Sequence, residues 1–266
     1  MDTCAVVIIN YNTGKLLQTT VTAVVEDSSV SQLVVVDNCS TDGSMKFIAE
    51  TNQVKKYQRK HNYGFAKSCN YGRCKIQSNV VLFLNPDCIL PKKEILQELL
   101  KKFNTDNEVA IVGCRVNNPD GSEQRASRRR LPTFWRAIKT FTGLERLARF
   151  CHCFAGINLN HQPMPKTWQS VEAISGAFIL MRTGVFDQLH GFDEKYPMHF
   201  EDLDLFKRTQ DLGYKIAFNP QISVVHHQGT SSQSNPKVAE MKKQGLQRYF
   251  YKHCSRLTYL FVKMLG

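Results

Sequence analysis

The sequence predicts an α/β fold with a mostly parallel central sheet flanked by helices. Short apolar runs alternate with helical patterns four times within the first hundred residues. Such alternation is typical of parallel strands joined by right-handed crossovers. The chain of 266 residues is long enough for one large α/β domain or two small ones. In open sheets of this class, ligands bind at the carboxyl ends of the strands.

Four apolar runs predict the strands of the first half. They cover residues 5–9, 33–36, 54–58 and 80–84, and such runs are typical of buried strands. Helical patterns follow them at residues 15–25, 45–50, 65–75 and 92–103. Each strand ends in a polar loop: Asn10-Tyr11-Asn12, Asp37-Asn38, Asn62-Tyr63-Gly64 and Asn85-Pro86-Asp87. The connection rules place these loops at one edge of the sheet, so they could converge on one ligand.

The second half begins with a strand predicted at residues 108–116 and a turn at 117–122. Residues 123–170 are basic, and we interpret them as an insertion that covers the active edge, with one amphipathic helix at 134–150. A strand at residues 171–181 includes Gly176, where the lack of a side chain allows close approach of a ligand. Further strands are predicted at 214–218 and 222–225.

We divide the chain into a domain of residues 1–235 and a basic amphipathic helical tail of residues 236–266. Within the domain, a first half of residues 1–116 carries the four polar strand ends, and a second half of residues 117–235 carries the basic insertion and the last strands. The tail alternates apolar with basic residues, a pattern typical of helices that lie on anionic membranes and also of solvated surface helices.

Composition narrows the classes of protein that fit. The net charge of +12 favours an anionic partner: a nucleic acid, a nucleotide diphosphate or an anionic membrane surface. The glycine-rich phosphate-binding motifs are missing after the first strand, which disfavours a P-loop enzyme or a dehydrogenase. A bound diphosphate would therefore need a metal and basic side chains. With no signal-peptide pattern and no apolar run of membrane-spanning length, we expect a cytoplasmic protein.

Three carboxylates stand at strand ends or helix starts: Asp37, Asp87 and Asp202. Asp87 could bind a hard cation, Mg²⁺ or Mn²⁺, which could in turn bind a diphosphate. Glu201 and Asp202 open a helix, where acids are common as caps, but one of them could act as a general base. His226 and His227 end the last strand. Because adjacent strand residues face opposite sides, at most one of them can complete a metal site with Asp87.

Seven short motifs occur in an order that one family shares. They are residues 7–12, 35–44, 62–66 with Asn70, 83–87, 175–178, 191–194, and 200–205 with Arg208. Through them the chain resembles the family 2 glycosyltransferases of the GT-A fold, close to the rhamnosyltransferase-like members. The resemblance extends over nearly the whole chain up to about residue 235.

The resemblance implies a role for each matching residue. The donor nucleotide sugar would contact the following residues: Asn10, Tyr11, Asn12, Asp37, Asn38, Asn62, Gly64, Phe65, Asn70, Asn85, Asp87, Gly176 and Arg208. Asp87 would be the main metal ligand, because Asn85-Pro86-Asp87 stands where the family has its Asp-x-Asp motif. Of the two candidate histidines, His226 is favoured over His227 as its partner. Asp202, beside Glu201, would be the catalytic base.

The resemblance implies an enzyme that transfers a sugar with inversion. The donor would be dTDP-rhamnose, which supplies L-rhamnose, or a UDP-sugar, bound by residues 1–116 as the nucleotide-sugar-binding half. The acceptor would be a saccharide or a lipid-linked saccharide, and residues 117–235 would be the acceptor and catalytic half. The product would belong to a surface polysaccharide. The tail would place the protein peripherally on the cytoplasmic face of the inner membrane. The protein could also form a homodimer. Three alternatives also stay open. The first is a nucleotidyltransferase, although the glycine-rich loop of such enzymes is missing, and the second is a GT-A protein without activity. The third is a nucleic-acid-binding protein, suggested by the net charge and by Arg128-Arg129-Arg130, although no recognised nucleic-acid-binding motif is present.

Overall fold

The structure is a computed structural model that describes residues 2–91, 94–227 and 236–265. Its strands are β1 (Cys4–Asn10), β2 (Val30–Asp37), β3 (Val54–Gln58), β4 (Val80–Leu84), β5 (Cys88–Ile89), β6 (Val109–Asn117), β7 (Arg128–Arg129), β8 (Gln169–Val171), β9 (Ala173–Ile174), β10 (Phe178–Arg182) and β11 (Lys215–His226). Its helices are α1 (Leu16–Val25), α2 (Phe65–Arg73), α3 (Ile95–Thr105), α4 (Phe134–Phe141), α5 (Thr183–Gln188), α6 (Glu201–Asp211), α7 (Pro236–His253) and α8 (Arg256–Leu265). Short 3₁₀ helices cover Ser44–Phe47, Leu144–Arg149 and His152–Phe154.

Nine strands of the described ranges form the central sheet, in the order β3-β2-β1-β4-β10-β6-β11-β5, with β8 paired to β11. The strands β3, β2, β1 and β4 are parallel, and so are β6 and β11. β10 runs antiparallel between the two parallel groups. This arrangement confirms the predicted α/β class with helices on a mostly parallel sheet. β1 is opposite β2 in a register that pairs Asn10 with Asp37, so the first two polar loops begin side by side.

The sheet is buried on both faces because its central strands alternate between two cores. In β1, Val7 and Ile9 join one apolar cluster and Val6 and Ile8 join the other. Each such side chain contributes about 1.5–3 kcal/mol when fully buried. This rigid double-sided core fixes the strand ends from which the polar loops project.

Several predicted elements differ from the structure. The helix predicted at 134–150 is split at Gly143, whose φ of 77° ends α4 before the 3₁₀ helix begins. The strand predicted at 171–181 is three short strands, and the strands predicted at 214–218 and 222–225 are one, β11, with an irregular register between Asn219 and Ser223. The predicted helix at 45–50 is a short 3₁₀ turn. The first residues of the helix predicted at 92–103, and the domain boundary at 235, lie outside the described residues.

The predicted tail is two helices, and the first of them packs on the domain. Tyr249 and Phe250 of α7 are fully buried. Gly245 lies so close to the segment before α6 that a Cβ there would be 2.8 Å from the carbonyl oxygen of His199. Arg248 and Lys252 pair with Asp193. In the part of the chain that is described, no helix combines the length and the apolar character needed to cross a membrane.

Candidate active site

The ends of β1 and β2 are joined by a buried hydrogen-bond network. The Asn10 amide donates to Asp37 Oδ1 and Ser44 Oγ, each at 2.8 Å. Ser40 also binds Asp37, through its backbone N–H at 3.1 Å and its hydroxyl. Asn10 Oδ1 is buried and has no hydrogen-bond partner in the described structure. Because buried polar atoms are normally paired, this carbonyl oxygen is available to a donor group on a ligand.

The neighbouring loops are built around the same edge. Asn12, at a φ of 53°, accepts a hydrogen bond from the backbone of Thr41 at 2.8 Å. Tyr11 beside it is 51% exposed, so an aromatic surface stands open at the edge of the sheet. Asn38 donates to the Gly64 carbonyl oxygen at 3.2 Å and so connects the second and third loops.

Two further predicted residues shape the start of α2. Asn62 Oδ1 accepts from the backbone N–H of Gly64 at 2.9 Å, and Gly64 has a φ of 81° that favours glycine. The Phe65 ring packs edge-on against Phe192, 5.8 Å between centroids. These contacts hold the third loop beside the first two.

The hydrogen bonds of Asn70 and Arg208 go instead to the segment between α5 and α6. The Asn70 amide makes two 2.9 Å hydrogen bonds with the backbone of Phe192. Arg208 donates to the carbonyl oxygens of Leu189 and Gly191 and pairs with Asp204. These contacts explain both residues without a nucleotide, and their nucleotide-binding roles stay predictions.

Asp87 and His226 come together at the ends of β4 and β11. The His226 Nε2 atom lies 3.2 Å from Asp87 Oδ1 and 3.1 Å from the Asn85 amide nitrogen. His227 contacts Asp87 only through its backbone N–H, which donates to the Asp87 carbonyl oxygen at 3.0 Å. Of the two candidate histidines, His226 is therefore the one whose ring faces the carboxylate.

A glutamine that the sequence analysis missed determines what the His226 ring can bind. In the tautomer with its hydrogen on Nδ1, His226 donates to Gln124 Oε1 at 2.8 Å, and Nε2 has a lone pair that also faces the Asn85 amide. Nε2 and Asp87 Oδ1 then face each other as two electron-pair donors, an arrangement suited to a cation between them. A second group that fixes the ring tautomer is typical of metal-ligating histidines. No local sequence motif marks Gln124, because its contact depends on the pairing of β6 with β11.

The donor set fits a hard divalent cation held partly by a ligand. Asp87 and His226 would supply two protein ligands, an oxygen and an imidazole nitrogen. The described residues contain no group of three or more His, Cys, Asp or Glu side chains that could hold a metal. The remaining coordination positions would therefore belong to water or to a diphosphate, as is usual for Mg²⁺ at phosphate sites.

Three acids in the first turn of α6 have three different environments. Burial, and then the nearby charge of Asp202, raise the pKa of Glu201 to about 8. Burial alone would also raise the pKa of Asp204, but a hydrogen bond from His253 and the charges of Arg208 and Lys252 hold that pKa well below its usual range. At neutral pH, Glu201 is therefore protonated, and Asp204 is an ionised carboxylate held by its ion pairs.

Asp202 is the acid of this turn that contacts the opposite strands. Its side chain is 12% exposed and pairs with Arg129 at 2.5 Å. A Cβ on Gly176 would lie 2.7 Å from Asp202 Oδ2, which explains the need for glycine at that position. Before α6, His199 and Phe200 both have left-handed backbone, with φ of 63° and 68°. Such strain is concentrated at functional sites, and here it sets the start of the helix.

The arginine run at 128–130 is largely internal. Arg128 and Arg129 are buried. Arg128 is bound by Glu123 through two hydrogen bonds and by backbone carbonyl oxygens of residues 159, 162 and 163. This run was the main sequence feature behind the nucleic-acid alternative, and buried arginines are not available to phosphates. The structure therefore removes the support for that alternative.

Comparisons with known proteins agree with this geometry. The family model described as glycosyl transferase family 2 matches residues 5–161, more than half of the chain. The O-antigen chain rhamnosyltransferase WbaN of Salmonella anatum is 28% identical over 223 residues, 83% of this chain and 61% of that protein. The N-acetylglucosaminyl-diphospho-decaprenol L-rhamnosyltransferase of Mycobacterium tuberculosis is 25% identical over 260 residues, 88% of this chain and 79% of that protein.

The fold has a counterpart among solved structures. A mannosyltransferase from Pyrobaculum calidifontis, solved in complex with GDP-Man and Mn²⁺, matches with a TM-score of 0.62 and 19% identity over 94% of this chain and 63% of that chain. The chain spans less than two thirds of that mannosyltransferase and of WbaN. It spans 13% of the Myxococcus xanthus O-antigen biosynthesis protein RfbC, which it also matches. The structural match confirms the GT-A fold, and the family match shows that the chain belongs to glycosyl transferase family 2.

Proposed function

We propose that this chain is an inverting glycosyltransferase that moves a sugar from a nucleotide diphosphate donor to a hydroxyl group of a saccharide acceptor. The observation that carries the proposal is the pairing of Asp87 with His226, whose Nε2 lone pair faces the carboxylate in the tautomer that donates to Gln124. A divalent cation, Mg²⁺ or Mn²⁺, held there would neutralise the diphosphate leaving group. The solved mannosyltransferase, whose structure holds a nucleotide sugar and Mn²⁺, supports this assignment.

The residues at the first two strand ends fit the nucleoside part of the donor. Asn10 Oδ1 is unpaired, Asp37 is held in a fixed orientation, and Tyr11 offers an exposed ring. A base or ribose could hydrogen-bond to the two polar groups and stack on the aromatic surface. These contacts would place the diphosphate towards Asp87 at the neighbouring strand end.

Asp202 would act as the general base. It accepts the proton of the acceptor hydroxyl while the hydroxyl oxygen attacks the anomeric carbon from the face opposite the diphosphate. The bond between the anomeric carbon and the diphosphate oxygen breaks, and the nucleoside diphosphate leaves. One displacement inverts the anomeric configuration and needs no enzyme nucleophile. Glu201, protonated at neutral pH, is less suited to be the base.

The relatives suggest the donor and the acceptor. Two of them are named as rhamnosyltransferases, which supports L-rhamnose as the transferred sugar, and we propose dTDP-L-rhamnose rather than a UDP-sugar as its donor. Their names place them in O-antigen synthesis and in transfer to a diphospho-decaprenol-linked sugar, so we propose a saccharide or lipid-linked acceptor in surface polysaccharide synthesis. A cytoplasmic location with peripheral membrane contact, and a homodimer, are further proposals from the sequence.

Thermal unfolding with nucleotides tests the donor site. The full chain is heated with dTDP, UDP or GDP, each with and without Mn²⁺. At a nucleotide concentration of about 100 times the dissociation constant, binding stabilises by about 2.7 kcal/mol, a shift of roughly 5–10 °C for a chain of this size. We expect the largest shift with dTDP plus Mn²⁺ and loss of the Mn²⁺-dependent part in Asp87→Ala.

The matched control is Asp120→Ala, because Asp120 is an exposed acid whose hydrogen bonds go to Ser122 in its own turn. This variant should keep the full shift. A larger shift with UDP or GDP would retain the transferase and replace the rhamnosyl donor. Absence of any shift at millimolar nucleotide would contradict the proposed function.

A further inference from the structure

We propose that Arg129 is a positioning residue that orients the carboxylate of Asp202 for proton abstraction. This inference rests on the proposed function, in which Asp202 is the base. The resemblance assigned no role to Arg129, and from the sequence it was one of three consecutive arginines in a basic segment.

The Arg129 guanidinium is fixed before it meets the carboxylate. Arg129 lies on β7, which pairs with β9 in a register that sets Arg129 opposite Ala173. Its Nε atom donates to the carbonyl oxygen of Ile174 at 3.1 Å, and Nη2 donates to the same oxygen. Nη2 also donates to Asp202 Oδ2 at 2.5 Å. A rigid planar fork held on the backbone in this way has little freedom to move with its partner.

The Asp202 carboxylate is held from its other sides as well. Its Oδ1 atom accepts from the backbone N–H of Leu203 at 2.8 Å, and Gly176 lies directly against Oδ2. A carboxylate has about four lone-pair directions, so these two hydrogen bonds leave others for the proton of an acceptor hydroxyl. The contacts therefore fix the orientation of Asp202 without using its full capacity to accept a proton.

The charged groups around Asp202 show which cation pairs with it. The titratable and charged groups that interact here are His199 before α6, Glu201 and Asp204 on α6, and Arg129 itself. Lys242 on α7 acts on His199. Asp204 has its own partners, which are the cations Arg208 and Lys252 and a hydrogen bond with the His253 ring.

Among the described residues, Arg129 is the basic side chain in ion-pair contact with Asp202. Without it, the Oδ2 atom of Asp202 would lose the guanidinium that holds it, and the carboxylate would be free to turn away from the acceptor hydroxyl. Arg129 therefore holds the Asp202 carboxylate in place, which a solvent-exposed arginine would not do.

The test measures kcat and KM from pH 5 to 9 for the full chain and its Arg129→Gln, Arg129→Lys and Arg129→Ala variants. The donors offered are dTDP-L-rhamnose, UDP-N-acetylglucosamine and GDP-mannose, and release of the nucleoside diphosphate is followed. For the donor that is consumed, Arg129→Gln should lower kcat about 10- to 100-fold. The acid limb of its kcat profile should move up by about one pH unit or more, with the donor KM little changed.

Two further variants separate positioning from a merely structural role. Arg129→Lys keeps the charge but not the fork, so its profile should lie between those of the wild type and Arg129→Gln. Added guanidinium chloride at millimolar concentration should restore part of the activity of Arg129→Ala. The matched control is Arg125→Gln, in the same segment, because Arg125 is exposed and pairs with Glu145. Its profile should equal that of the wild type.

The outcomes distinguish the two proposals. If the wild type consumes none of the donors, or if Asp202→Asn keeps wild-type activity, the proposed function or its base assignment is wrong. If Asp202→Asn is inactive while Arg129→Gln keeps the wild-type acid limb, only the inference about Arg129 is overturned. A lower melting temperature with an unshifted acid limb and no rescue by guanidinium would likewise make Arg129 structural.

Discussion

Three carboxyl groups within four residues of α6 differ because each meets a different set of neighbours. Glu201 lies in buried surroundings, with one oxygen unpaired, and its pKa is raised to about 8. Asp204 meets three basic side chains. Asp202 meets one arginine and the space above Gly176. All three are acids in the first turn of one helix, so the assignment of the base depends on these contacts.

Gly176→Ala tests the close approach to Asp202. The added Cβ would lie 2.7 Å from Asp202 Oδ2, so the carboxylate must move. Displacement of a catalytic group by about 1 Å can cost roughly 100-fold in rate, and we expect a loss of that size in kcat. The control is Gly184→Ala, where the added Cβ has no atom within 4 Å. Equal activity of the two variants in the donor-consumption assay would contradict the predicted contact.

At the scale of elements, α7 behaves as part of the domain rather than as a tail. Tyr249 and Phe250 are buried beneath it, and its basic residues reach two acids, Asp193 and Asp204. Asp204 belongs to α6, so α7 and the helix that carries the proposed base are joined by buried ion pairs. A basic amphipathic pattern predicted this helix, but the pattern by itself is equally typical of a solvated or membrane-bound one.

Asp204→Asn should destabilise the protein and change its response to acid. Removing one partner of a buried ion pair costs about 3 kcal/mol. The pKa of Asp204 is depressed in the folded state, so its contribution is present above the unfolded value near 3.8 and is lost as the pH falls below it. Urea unfolding should therefore show the same difference between wild type and variant at pH 7 and pH 5, and a smaller difference at pH 3.

Asp211→Asn is the matched control for this prediction. Asp211 lies on the same helix and pairs with Lys207, but it is 53% exposed. An exposed pair of this kind contributes at most about 1 kcal/mol. A difference for Asp204→Asn that is as small as this, or that is independent of pH, would contradict the proposed anchoring of α7.

At the scale of the whole molecule, the positive charge is divided between buried and exposed sites. Arg128 and Arg129 are internal, whereas the basic residues of α8, Arg256 and Lys263, are exposed. α8 also exposes Leu257 and Leu260. We propose that α8, with these exposed basic and apolar side chains, is the surface that contacts an anionic membrane.

Vesicle binding tests the proposed membrane contact. The full chain should sediment with vesicles that contain about 30% phosphatidylglycerol and not with purely zwitterionic ones, because each basic residue near an anionic surface contributes about 1 kcal/mol. Replacing Leu257 and Leu260 by Asp should weaken this binding. The control is Leu212→Asp, an exposed leucine at the end of α6. Equal loss in both variants, or none in either, would argue against α8 as the contact.

Much of the fold was predictable because short apolar runs and polar strand ends are local features. The four strands of the first half were found within a few residues of their observed bounds. Errors occurred where a single backbone angle decides the outcome, as at Gly143, or where a strand continues through an irregular register, as in β11. In the tail, the helix predicted at Pro236–His253 is confirmed as α7, but the second helix, α8, was not separated from it, since the basic and apolar pattern continues across the break at residues 254–255.

The sequence by itself determined the α/β class, the positions of the first four strands along the chain and the polar residues that follow them. Only the tertiary structure decided which side chains meet. His226 with Asp87 and Gln124, and Arg129 with Asp202, join residues that are 73 or more positions apart in the chain. Such contacts follow from strand order and register, which place distant side chains side by side and which no local pattern encodes. The chemistry of the proposed site depends on those pairings, because each neighbour changes the charge and the orientation of the group it touches.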